Sequence, residues 1–236
     1  MTPQEKEELL RWFWALREQE YWHGAQDAKF LEHAQAKWPL PQGLTPKKGE
    51  EAPKSWVFRQ FLQVFALYRW LPKHTYGELR YMADLCHDLF LPELGDSPVK
   101  AAHQRWMTAV AKLSKRWTGK QLYSATSKVL WHYHPKHLPL YDSYNSRALA
   151  LALGLDKGRK SYSVKPEDFL DQFAAFFETQ GAALEFFRGE PEAKYPYPRR
   201  VGEKYLWLLG TQDQGASQLD SLRAYLRATG RFQELL

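Results

Sequence analysis

The hydrophobic positions of this 236-residue chain recur at helical spacing nearly throughout. Thr2-Pro3-Gln4-Glu5 reads as a helix start, and Leu9, Leu10, Phe13, Leu16 and Tyr21 continue it at the 3.6-residue period. A second short helix is predicted from Ala25 to Trp38. Between Pro39 and Pro53 the pattern stops: prolines at 39, 41, 46 and 53 and glycines at 43 and 49 make this a linker. Ser55 is placed to cap a helix from Trp56 to Leu71, WVFRQFLQVFALYRWL, apolar nearly all round and therefore expected at the centre of the fold. Helices follow over Leu79–Leu91 and Pro98–Trp117, the second with Trp106, Val110, Leu113 and Trp117 on one face.

The stretch Thr118 to Leu149, TGKQLYSATSKVLWHYHPKHLPLYDSYNSRAL, is the densest in chemically informative residues. A helical pattern carries Ser124, Ser127 and Lys128, and Pro135 and Pro139 end it. Asp142 follows, with Ser143 placed to cap the helix Asn145–Leu153 that Gly154 stops. Pro166-Glu167 opens a helix reaching about Phe187, and further helices are expected over Arg200–Leu209 and Ser217–Ala228. Alternating strand patterns, hairpin turns and internal repeats are absent. The predicted class is all-α: residues 1–38 a helical extension, 39–54 a linker and 55–236 the main domain. A chain starting at Lys54 is expected to stay folded.

Hydrophobic residues make up 44%, enough for a full core, and aromatics 15%, with 10 Trp. A net charge of +6 mildly favours polyanionic partners. The single cysteine, Cys86, excludes an internal disulfide and reads as a buried thiol. The charged N-terminus lacks a signal-peptide core and no segment has the length to span a membrane, so a soluble cytoplasmic protein is expected. The aromatic N-terminal helix is a candidate surface for a protein partner. His132, His134 and His137 have no cysteine partners and Pro135 interrupts them, so they read as imidazoles at a helix end, with no metal or cofactor expected.

Taken singly, Asp142 reads as a helix N-cap and Lys128 as a surface cation. Together with Ser124-Ala125-Thr126-Ser127-Lys128-Val129-Leu130 and Pro139-Leu140-Tyr141-Asp142-Ser143, the region resembles the helix-hairpin-helix DNA glycosylase superfamily, in particular bacterial proteins similar to 8-oxoguanine glycosylase. Glu203-Lys204-Tyr205-Leu206-Trp207-Leu208-Leu209-Gly210 resembles their closing helix. The resemblance spans about Trp56 to Gly210. It implies a DNA-binding repair hydrolase that removes a modified base, in which Asp142 stabilises positive charge on the sugar. In the bifunctional members a lysine attacks the sugar and forms a Schiff base, a role that would fall to Lys128. Two features differ. Thr118-Gly119-Lys120 stands where the family has Gly-x-Gly, and Ala125 falls in the usual lysine slot when the apolar positions are aligned. A non-catalytic nucleic-acid- or partner-binding module on the same fold is therefore the alternative. Lys112, Lys115, Arg116 and Lys120, with Ser124 and Ser127, are candidate DNA contacts, as are Arg159, Lys160, Arg199 and Arg200. Tyr123, Trp131 and Tyr141 are candidates to stack on a flipped base.

Overall fold

A computed structural model describes residues 24–47, 49–65, 67–68, 71, 74–117, 119, 122–155, 163–179, 203 and 206. They form seven helices: α1 (Gly24–Gln35), α2 (Val57–Val64), α3 (Tyr76–Phe90), α4 (Pro98–Arg116), α5 (Tyr123–Trp131), α6 (Ser143–Ala152) and α7 (Pro166–Thr179). The class is all-α. Glu51 and Thr75 make the one isolated β-bridge among the described residues. No helix there is long and apolar enough to cross a membrane. The expected helices at 1–21 and 217–228 lie outside the described residues. So does any continuation of α7 to Phe187.

By its internal contacts the chain divides between Tyr141 and Asp142. His23–Tyr141 form one unit, holding α1 to α5. The described part of the other holds α6, α7, Glu203 and Leu206. Residues 39–54, the expected linker, fall within the first of these units. Phe30, Ala34 and Trp38 are fully or almost fully buried in the first unit. The Trp38 indole lies 5.1 Å from the Phe58 ring, 5.2 Å from Phe61 and 6.5 Å from His132, centroid to centroid. The backbone of the Pro/Gly-rich segment is tied down as well. Ala52 N–H donates to the His74 carbonyl (3.1 Å), and Tyr76 N–H to that of Glu50 (2.8 Å). The buried Arg59 guanidinium donates to the Ala52 carbonyl, pairs with Glu51 at 2.8 Å and lies over the Tyr68 ring. An extended segment whose polar backbone is paired in this way is part of the body.

The central helix also differs from expectation. The all-round apolar stretch after Trp56 is helical only to Val64; Phe65 closes it and Leu67 N–H turns back to the Leu62 carbonyl (2.7 Å). Tyr68 is engaged elsewhere, with Glu51 (3.3 Å) and stacked on His74 (4.1 Å), and these contacts win over helix propagation. Ser55 makes no cap, since the N-cap residue is Trp56 and no side chain bonds there. The helix buried on nearly every side is α5, where every residue from Ala125 to Trp131 is buried. It packs against α3 and α4. Both present the apolar stripes their spacing predicts: Leu79, Met82, Ala83, Cys86 and Phe90 on α3, and Ala102, Trp106, Ala109, Val110 and Leu113 on α4. Burial pushes the Cys86 thiol far up from its ordinary value, as expected of an inert core cysteine.

Within the second unit α6 packs on α7. Leu155 N–H turns back to the Ala150 carbonyl (2.8 Å) across Gly154, which holds φ 65° and so stops α6 where the glycine predicts.

Candidate functional site

Several polar side chains in and just after α5 bond back to the helix's own carbonyls. Thr126 Oγ1 donates to the Leu122 carbonyl (2.7 Å) and accepts from the Trp106 indole (2.9 Å). Ser127 Oγ bonds the Ser124 carbonyl (3.0 Å). His132 Nδ1–H donates to the Lys128 carbonyl (2.7 Å), with its ring among Phe30, Phe61, Phe65 and Trp131. Such back-bonding lets Ser and Thr sit inside a fold without an unmet polar group.

Lys128 is placed in the last turn of α5 rather than its first turns, and it is buried, at 8% exposure, rather than a surface cation. Its side chain runs back toward the helix N-terminus, the direction long helical side chains take. The amine donates to Ser124 Oγ at 2.7 Å, one turn earlier. Ser124 is half-buried.

A separate aromatic group gathers at the start of α5. The rings of Trp106 and Tyr141 are 5.3 Å apart, those of Trp106 and Tyr123 6.1 Å, and those of Tyr123 and Tyr141 6.3 Å. Tyr123 and Tyr141 are half-buried, whereas Trp106 is sealed and its indole fixed by Thr126. Ser127 closes the arrangement: its Oγ accepts from the Tyr141 N–H (3.2 Å), and its one hydroxyl proton is shared between the Ser124 carbonyl and the Tyr141 carbonyl (3.2 Å). Ser127 is thereby a brace for the segment after the helix, and is removed from the candidate DNA contacts. Ser127→Ala is expected to cost about 1–2 kcal/mol, because the Tyr141 N–H and carbonyl lose a partner. Urea denaturation measures this; an unchanged midpoint would show that water replaces the hydroxyl.

Trp131 does not join this group. It is fully buried and offers no face to a base, so its assignment as a stacking residue is corrected. Adjacency in sequence placed it near the site, but on a helix it points to another side.

Of the basic residues, Lys112 and Lys115 are exposed on α4. Arg116 is committed elsewhere: it forms a two-pronged pair with Glu78 (2.7 and 3.2 Å), and lies 4.0 Å over the Tyr81 ring. The hydrogen bond to Glu78 is the main reason its pKa is raised. Trp117 Nε1–H also donates to Glu78 (2.8 Å), so this cluster anchors the end of α4 to α3. Lys120, Arg159, Lys160, Arg199 and Arg200 lie outside the described residues.

Asp142 opens the other unit, and its surroundings are described there alone. Its Oδ1 accepts from the N–H groups of Tyr144 and Asn145, both at 2.9 Å, which makes Asp142 rather than Ser143 the N-cap of α6. Asn145 is fully buried and donates from Nδ2 to the buried Glu203 at 2.5 Å. This second carboxylate beneath the cap comes from 58 residues along the chain. No local spacing announces it.

The histidines have separate structural roles. His134 Nε2–H donates to the Phe90 carbonyl at the end of α3 (2.6 Å), and burial lowers its pKa. His137 is exposed. Among the described residues no group of three or more His, Cys, Asp or Glu side chains is arranged to hold a metal ion.

Comparison of the chain with family models, with curated proteins and with solved structures returns no match.

Proposed function

We propose that this protein binds DNA and cleaves the N-glycosidic bond of a modified base, with Lys128 as the nucleophile and Asp142 as the charge-stabilising carboxylate. The observation that carries this reading is the lysine itself. It is buried, at 8% exposure, and its amine donates to the half-buried Ser124 Oγ at 2.7 Å. In the reaction, the Lys128 nitrogen lone pair forms a bond to C1′ as the bond from C1′ to the base breaks. The bonding electrons leave with the base, which takes up a proton, and the attacking amine gives one up. Opening of the sugar ring then yields the Schiff base. A water molecule in place of the amine gives simple base release. Tyr123 and Tyr141 are the remaining candidates to face an extruded base.

The second reading is a non-catalytic binding module. The cap favours it, because holding two amides is a sufficient reason for an aspartate at position 142. Duplexes carrying single modified bases separate the two: release from any of them supports the enzyme, and release from none supports the module. Borohydride trapping of the protein on a released site identifies the lysine route. For both readings, affinity for DNA is expected to fall steeply with salt, as phosphate contacts release counterions. Titrations at several ionic strengths measure the slope, and binding indifferent to salt, or absent at low salt, overturns the assignment of DNA as partner.

A further inference from the structure

Helix α4 carries five Lys and Arg residues in 19 and no acidic one. Helix α7 is the reverse, with Glu167, Asp168, Asp171 and Glu178 exposed and no Lys or Arg. At about 100° per residue, the buried side chains of α4 form one stripe. Lys100, Gln104, Ala111, Lys112 and Lys115, all exposed, fall within about 120° on the opposite side. The two arginines stand at the edge of this face and serve the fold: Arg105 donates to the Pro92 and Glu93 carbonyls, and Arg116 pairs with Glu78. Among the described residues none of the three lysine amines has a hydrogen bond or an ion pair. Thr108 shares the face, but its hydroxyl proton goes to the Gln104 carbonyl (2.8 Å).

The helix dipole accounts for only part of this. It favours a cation in the last turn, which suits Lys115. Lys100 stands in the first turn, at the positive end, where a cation is disfavoured. A polyanion lying along the helix offsets that cost. Lys112 is about 18 Å along the axis from Lys100, and Lys115 about 4.5 Å further. Phosphates recur about every 3.4 Å of duplex axis on one strand, so flexible lysine stems reach several of them. Lysine is a point charge without the planar fork of arginine, and it addresses phosphate charge rather than base edges.

We infer that the lysine face of α4 is where the phosphate backbone of duplex DNA lies against this unit, through Lys100, Lys112 and Lys115. This rests on DNA as the partner in the proposed function, and names the surface that meets it. The contact is indifferent to sequence.

The test uses the full chain and an undamaged duplex, so that it does not depend on base release, with titrations at several salt concentrations. Lys112→Gln/Lys115→Gln is expected to lower the slope of log affinity against log salt by about 1.8, from two phosphate contacts at about 0.9 each. Adding Lys100→Gln lowers it by about 0.9 more. Melting temperature stays at the wild-type value in the double variant, and Lys112→Arg/Lys115→Arg keeps the wild-type slope. Lys47→Gln/Lys54→Gln removes the same charge from exposed positions outside α4 and is expected to leave the slope unchanged. A wild-type slope in the α4 double variant would overturn the inference, and so would an equal loss in both doubles, which would make net charge alone responsible. In either case DNA stays the partner. Wild-type protein that binds no duplex at low salt instead overturns DNA as the partner, and this inference with it.

Discussion

Under the proposed glycosylase function, Asp142→Asn is expected to abolish base release and to leave duplex affinity unchanged or tighter, the largest effect on activity. The substitution is a clean one here because of how Asp142 is held. Its Oδ1 accepts the Tyr144 and Asn145 N–H groups, and an asparagine carbonyl oxygen caps a helix about as well as a carboxylate. The fold of α6 is therefore preserved and only the charge is removed. On the proposed function that charge would act on a sugar that becomes positive only as its bond to the base breaks, so its loss is expected in the rate, by roughly a hundredfold or more. Binding gains from relief of the repulsion between carboxylate and phosphates. Asp142→Ala differs by losing the cap as well, at about 0.5–2 kcal/mol. Single-turnover base release and a thermal melt on both variants separate chemistry from capping. Full release by Asp142→Asn, with a stability loss seen only in Asp142→Ala, would reduce Asp142 to a helix cap. Lys128→Ala tests the other half: borohydride trapping disappears if Lys128 is the nucleophile, and persists if another amine serves.

What could be read from the sequence was set by whether the deciding interaction is local. Helices α3, α4 and α6 end close to where the pattern puts them, because Pro98 at a first helical position and Gly154 past a last one act on their own backbone. The centre of the first unit was not legible. Composition pointed to the stretch after Trp56, whereas the helix enclosed on all sides is YSATSKVLW, whose hydroxyls, lysine and following histidine are met within one turn. A polar residue satisfied by its own helix looks, in sequence, like one facing water. The pairing of Arg116 with Glu78 and of Asn145 with Glu203 joins residues 38 and 58 positions apart. Such pairs appear only once the chain is folded, and the first of them withdraws an arginine from the expected DNA face.

The same distinction governs the N-terminal boundary. The prolines and glycines between residues 39 and 53 do mark a break in helical periodicity, but a break in periodicity is not a break in packing. A chain beginning at Lys54 is expected to lose its cooperative fold, and Trp38→Ala alone to cost about 3–5 kcal/mol. Trp38 is sealed among Phe58, Phe61 and His132. Its carbonyl accepts from the Trp56 indole (2.9 Å) and from Arg80 (3.2 Å). Lys37 and Trp38 both stand at positive φ, 61° and 50°. Two consecutive non-glycine residues in that region cost about 1–2 kcal/mol each. They persist because the indole, the carbonyl and the Lys37 pairs with Asp84 and Asp88 fix them from several sides at once. Truncation does further damage at Arg59. Without Glu51 and the Ala52 carbonyl, a guanidinium only 5% exposed loses both its carboxylate and its backbone acceptor, and stranding a buried charge costs about 3–5 kcal/mol. These losses together match the whole stability of an ordinary domain. Near-ultraviolet circular dichroism and a thermal melt of the truncated chain decide the matter. A sharp transition and an unchanged aromatic spectrum would make residues before Lys54 the accessory element their sequence describes; a broad melt with the aromatic signal gone places Trp38 in the core that holds α5, and with it Lys128, in position.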